Sequence, residues 1–152
     1  MKLELVKYKC SNCAHEFESP ALCDNAYGEF LLWSRGGSSA YLNAFKDKTY
    51  KEVDGILLNH PKTSTLNPVE RAKMLQRIYG GLACDRDNNN LQFEIGAFPP
   101  CPTCGDQKMT SWEFQYPPKI VDVSLSLVTH IHWSGLSNSE KIKLTDISIS
   151  AL

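Results

Sequence analysis

Four of the six cysteines in this 152-residue chain fall into two C-x-x-C pairs, Cys10/Cys13 and Cys101/Cys104. Two intervening residues let both sulfurs of a pair converge on one ion while the turn aims its N–H groups at them. Paired motifs of this kind read as metal ligands before they read as disulfides. No export signal is expected, because Met-Lys-Leu-Glu-Leu-Val-Lys breaks its apolar residues with charges too early. Dithiol redox chemistry of the thioredoxin kind needs a strand-to-helix setting that neither pair has. Four thiolates would complete a tetrahedron, leave no position open for water, and make the ion structural rather than catalytic.

The remaining reactive side chains make weaker patterns. His15, two residues after Cys13, is a further ligand candidate, but four sulfurs already suffice and a polar strand residue is expected. His130-x-His132 places two histidines on one face of a strand, an incomplete metal site better read as exposed or hydrogen-bonded beside Trp133. Cys23 and Cys84 could act as nucleophiles with His60, His130 or His132 as base. No nucleophile elbow or cysteine-protease signature surrounds either, so core packing is expected for both. Gly36-Gly37-Ser-Ser lacks the lysine of a phosphate-binding loop and reads as a turn. Arg71, Lys73 and Arg77 read as the solvated face of an amphipathic helix.

Elements must bring the two pairs together across the 87 residues from 14 to 100. Leu3 to Tyr8 alternates as a strand entering the first pair, and His15 to Glu18 returns from it until Pro20 ends it. In Cys101-Pro-Thr-Cys-Gly105, Pro102 fixes φ and Gly105 can take the left-handed conformation, with a strand from Lys108 to Tyr116 following. A segment as long as 14–100 should carry structure of its own. Ser38 or Ser39 could cap a short helix through Ala40 to Phe45. Thr49-Tyr-Lys-Glu52 matches a capping box opening a second, with Tyr50, Val53, Ile56 and Leu57 on one face, closed by Pro61. The clearest helix has Asn67 as N-cap, Pro68 at its first position and Glu70 as box partner. Val69, Ala72, Leu75, Ile78 and Tyr79 line one side, and Gly80-Gly81 end it. Leu91 to Ile95 reads as a short strand. Val121 to Leu127 alternates cleanly, with Val121, Val123, Leu125 and Leu127 facing a core. Ser137 with Glu140 caps a last short helix.

The expected fold is therefore α+β. One domain, 1–152, contains an antiparallel ribbon-type sheet from 1–19 and 97–118. A long, mostly helical insertion spans 20–96, and a C-terminal strand and short helix span 119–152. Hydrophobic residues make up 42% and charged residues 22%, which excludes a disordered chain. No apolar run reaches the roughly 18–20 residues of a membrane span, and a cytoplasmic protein is expected. The formal charge is −1, and four thiolates with one Zn²⁺ would bring it to −3. That argues mildly against nucleic acid as the main partner.

Tyr8-Lys-Cys-Ser-Asn-Cys-Ala-His-Glu-Phe17 and Cys101-Pro-Thr-Cys-Gly105 resemble the opening and closing knuckles of small bacterial zinc-ribbon proteins of the FmdB-like type. The resemblance covers about thirty residues and implies one structural Zn²⁺ on Cys10, Cys13, Cys101 and Cys104. Ala14 stands where such ribbons often carry glycine, and the long insertion is a second departure. The fuller reading is a non-enzymatic zinc protein that binds a protein partner. Its aromatic residues Trp33, Tyr41, Phe45, Tyr50, Trp112 and Trp133 suit such a surface. A bacterial immunity protein that neutralises a toxin is one form of that reading, and the chain loosely resembles such families. The alternatives are a nucleic-acid-binding or regulatory ribbon using Lys7, Lys9 and Arg71 to Arg77, and a Cys/His-dependent enzyme.

Overall fold

β1 (Lys2–Cys10) is the central strand of the first sheet. The computed structural model describes residues 1–23 and 26–152. β2 (Glu16–Ala21) pairs antiparallel with one edge of β1, in a register that sets Tyr8 opposite Phe17 and Lys9 opposite Glu16. The other edge of β1 is shared. β6 (Met109–Phe114) pairs antiparallel with its C-terminal half, setting Val6 opposite Phe114 and Tyr8 opposite Trp112. β7 (Ile120–Asp122) takes the N-terminal half, with Leu3 opposite Val121. Leu3, Val6, Tyr8 and Cys10 of β1 are buried. β2 runs through Pro20 instead of ending there. As an edge strand it has one side without ladder partners, where a missing N–H costs little.

A second antiparallel sheet, β4-β3-β5, is built from β3 (Glu29–Ser34), β4 (Ser39–Asn43) and β5 (Phe93–Glu94). The segment expected as a helix through Ala40 to Phe45 is thus strand β4, pairing Leu32 with Ala40 and Phe30 with Leu42. A helix this short gains few hydrogen bonds of its own, whereas the strand finds backbone partners on both sides. Besides β3, Tyr41 N–H donates to Ser126 O (2.8 Å) and Val128 N–H to Tyr41 O (3.0 Å). The alternating run from Val121 to Leu127 is accordingly split. Its start is β7 on the first sheet and its end lies along β4 of the second, leaving Leu127 66% exposed and out of the core. The segment joining the knuckles is therefore mixed sheet and helix, not mostly helical.

Helices cover the second sheet. α1 (Lys48–Asn59) starts from Asp47, whose carboxylate accepts the Tyr50 N–H (2.9 Å), so Asp47 and not Thr49 is its cap. α2 (Pro68–Ala83) has the expected Asn67–Glu70 capping box and leading proline. It runs through Gly80-Gly81, however, and ends at Cys84. These glycines serve approach: a Cβ on Gly80 would lie 1.9 Å from the Phe93 carbonyl, and one on Gly81 2.1 Å from the Gln92 side chain. They let α2 press against β5. Val69, in the first turn, faces solvent at 63% exposure instead of joining its apolar side. α3 (Ile131–Ser134) is one turn. α4 (Asn138–Ser150) opens with the expected Ser137–Glu140 box and runs 13 residues, longer than the short helix expected.

The main core gathers Leu32 and Leu42 from the sheet, Val53 and Leu57 from α1, and Leu75, Ile78, Tyr79 and Ala83 from α2. Cys84, Trp133 and Ile149 complete it. None of these residues comes from the first sheet. No helix among the described residues is long and apolar enough to cross a membrane.

Candidate metal centre

Each C-x-x-C pair is folded by the same backbone bonds at the same offsets. In the first, Ala14 N–H donates to Cys10 O (3.0 Å) and Cys10 N–H to His15 O (2.9 Å). In the second, Gly105 N–H donates to Cys101 O (2.8 Å) and Cys101 N–H to Asp106 O (2.8 Å). Both turns require a left-handed fifth residue, Ala14 at φ 60° and Gly105 at φ 77°. The turns are joined where β1 meets β6. Ser11 donates to the Lys108 carbonyl through its N–H (2.9 Å) and its hydroxyl (3.0 Å).

This brings the Sγ atoms of Cys10, Cys13, Cys101 and Cys104 within 4.8 Å of one another. Cys10 lies 3.5 Å from Cys104, and Cys13 lies 3.6 Å from Cys101. Those separations far exceed the about 2.05 Å of a disulfide. They approach the about 3.8 Å expected between thiolates set tetrahedrally about 2.3 Å from an ion. The four cysteines can hold a metal ion. Cys10 and Cys101 are buried, while Cys13 and Cys104 are exposed.

The local dipoles favour thiolate. The Asn12 side chain and the Asp106 N–H bring the Cys104 thiol down to about 6. Desolvation opposes ionisation of Cys101, yet the N–H groups of Cys104 and Thr103 outweigh it and hold its thiol below the ordinary value. The His15 N–H lowers the Cys13 thiol, but desolvation and the neighbouring sulfurs prevail and push it up to about 12. Four sulfurs this close repel as anions, and a cation among them removes that repulsion.

No other candidate side chain among the described residues joins the four sulfurs. The His15 ring stacks on Phe17 at 6.3 Å. His130 and His132 do not share a strand face: His130 precedes α3 and His132 lies within it. His130 Nδ1–H donates to Ala83 O (2.6 Å), and Nε2 lies 2.8 Å from the Asp47 carboxylate. His132 instead lines a cavity of about 510 Å³ with Cys84, Arg86, Trp133 and Ile147. Cys84 packs in the core as expected, and burial pushes its thiol up to about 12, a poor nucleophile. Cys23 is exposed and so is not the core residue expected. His60 Nδ1 accepts the Lys62 N–H (3.1 Å), leaving Nε2–H to donate to Asp146 (2.8 Å) and tie α1 to α4. Gly36-Gly37 forms the turn between β3 and β4. Arg71 is half-buried against Asp54 (3.0 Å), and only Lys73 and Arg77 of the three helix cations are exposed.

The polar cluster that the sequence reading missed is centred on Asp47. Besides capping α1 and facing His130, it accepts the Tyr79 hydroxyl (3.1 Å). Aspartate three residues before Tyr50 was an available N-cap signal. No protein-family model matches the chain, and no curated protein or solved structure matches it significantly.

Proposed function

We propose that this protein binds one structural Zn²⁺ through Cys10, Cys13, Cys101 and Cys104 and uses the fold so clamped to engage a protein partner. The convergence of four sulfurs from two knuckles carries the metal half of the reading. A tetrahedral all-thiolate set suits zinc, and the likeness of both knuckles to FmdB-like zinc ribbons supports it. When bound, the ion supplies a cross-link and no open coordination position, so the centre is structural and the protein non-enzymatic. The sulfurs hold the ion, the knuckle N–H groups orient them, and β1–β6 pairing fixes their spacing.

The partner half rests on the edge strand β6. Trp112 and Phe114 on the strand and Tyr116 just beyond it expose 54%, 41% and 97% of their surface. Exposed aromatics of this kind anchor protein interfaces. Phosphate recognition is less favoured. Lys7 stands opposite Glu18 and Glu113 and lies 3.6 Å from Glu16, and Lys119 pairs with Glu18 (3.1 Å). Signs alternate over this sheet. An immunity protein binding a toxin is the specific form proposed.

The test is metal analysis of protein purified without chelator, followed by affinity capture from native lysate. We expect one zinc per chain, lost in Cys101→Ser and kept in Cys84→Ala. The captured protein partner should be stoichiometric and survive nuclease. Zinc near zero overturns the metal reading. Salt-sensitive, sub-micromolar binding to duplex DNA or RNA overturns the partner reading.

A further inference from the structure

We propose that the four-cysteine centre is also a redox modification site, at which a peroxide releases the ion and leaves two disulfides crossing between the knuckles, Cys10–Cys104 and Cys13–Cys101. The release half rests on the zinc reading above; the pairing stands on the sulfur geometry alone.

The cross-knuckle sulfurs are already 3.5 and 3.6 Å apart, so each pair needs to close by about 1.5 Å to bond. Each pair also couples one exposed sulfur with one buried sulfur: Cys104 with Cys10, and Cys13 with Cys101. That division assigns the roles. In the Cys104–Cys10 pair the exposed sulfur meets the oxidant, and the buried one resolves the product.

The exposed Cys104 thiolate attacks one oxygen of hydrogen peroxide. The O–O bond breaks, an S–O bond forms, and the departing hydroxide takes a proton to become water. The Cys10 thiolate then attacks the sulfenic sulfur, forming S–S, breaking S–O and releasing a second hydroxide. Two electrons pass from sulfur to peroxide oxygen for each disulfide. A second peroxide takes two electrons from Cys13 and Cys101, whose sulfurs form the second S–S bond as the O–O bond breaks and two waters are released. The zinc changes no oxidation state; it leaves because its ligands are consumed.

The pairing has a structural consequence. Disulfides inside the knuckles, Cys10–Cys13 or Cys101–Cys104, would leave the two chain segments without a cross-link, held by the β1–β6 pairing and the Ser11–Lys108 bonds. Crossed disulfides tie the same segments that the ion ties. Oxidation thus exchanges one clamp for another, and the first sheet stays closed after the metal has gone.

The experiment treats the full-length, zinc-loaded Cys23→Ser protein with hydrogen peroxide. Zinc release is followed with a chromogenic chelator, and cross-links are mapped by non-reducing peptide mass spectrometry. We expect one zinc released per chain, both crossed disulfides, Cys84 still a thiol, and recovery with a thiol reductant plus zinc. A parallel arm oxidises protein stripped of metal. If the protein binds no zinc but this arm gives the crossed pairs, the zinc reading fails and the pairing holds. Cys10–Cys13 or Cys101–Cys104 bonds in either arm overturn the proposal. So does zinc loss with all four thiols intact or with sulfinic acids in place of disulfides.

Discussion

Ala14 and Gly105 occupy equivalent places in the two knuckles, yet only one of them is suited to its backbone. Both have positive φ, where a Cβ crowds the carbonyl and costs roughly 1–2 kcal/mol. Glycine avoids that cost but gives up about 0.5–1 kcal/mol of chain entropy on folding. Ala14→Gly should therefore stabilise by about 0.5–1 kcal/mol, and Gly105→Ala should destabilise by a similar amount. Nothing lies within 4 Å of a Cβ on Gly105, so the second effect is conformational and not a clash. Urea midpoints measure both, with the slope unchanged. A lowered midpoint for Ala14→Gly would contradict the equivalence of the turns.

Among the elements, α1, α2 and α3 are joined by Asp47, Tyr79 and His130. Burial pushes the Asp47 carboxyl up, but the contact with His130, the Tyr50 N–H and the Tyr79 hydroxyl outweigh it and hold the carboxyl below the ordinary value. A carboxyl lowered in the folded state stabilises fully above the unfolded value of about 3.9. That contribution fades as pH falls through the lower folded value. Asp47→Asn should cost about 1–2 kcal/mol at pH 7, combining a weakened cap with a lost charged acceptor. The gap from wild type should narrow towards pH 3. Paired denaturation curves at the two pH values test this, and a gap independent of pH would show that charge is not what Asp47 contributes.

At the scale of the molecule, the two sheets depend on different things. The second sheet and its helices share the main core, to which the first sheet contributes no residue. The first sheet buries Leu3, Val6, Tyr8 and Cys10 and closes through the knuckles. If zinc occupies the knuckles, its removal under reducing conditions should loosen β1, β2 and β6 and leave α1, α2 and α4 folded. Structural zinc sites contribute roughly 10–16 kcal/mol in small peptides, far more than the slow growth of loop-closure entropy with length. Amide hydrogen exchange after chelation should show faster exchange in the three strands and continued protection in the helices. Simultaneous loss of protection everywhere would show that the core cannot stand without the metal.

Where the determinants lie within a few residues of each other, the sequence alone decided the outcome. The capping boxes at Asn67–Glu70 and Ser137–Glu140, Pro68 at a helix start and the two C-x-x-C turns are local hydrogen-bond patterns, and each formed where its residues stood. The pairing of Cys10/Cys13 with Cys101/Cys104 was also legible, because four soft ligands in two turns suit one ion. Tertiary contacts decided the rest. Gly80-Gly81 reads as a stop signal, but the helix continues because the missing Cβ atoms admit β5. Ala40 to Asn43 reads as helix, but strands on either side supply its hydrogen bonds. Val121 to Leu127 reads as one strand, but two sheets divide it. His130 and His132 read as a pair, but a helix start sends one to Asp47 and the other to a cavity wall. Apart from the β3–β4 hairpin, the deciding partner lies more than ten residues away along the chain, and local periodicity carries no information about a partner that distant.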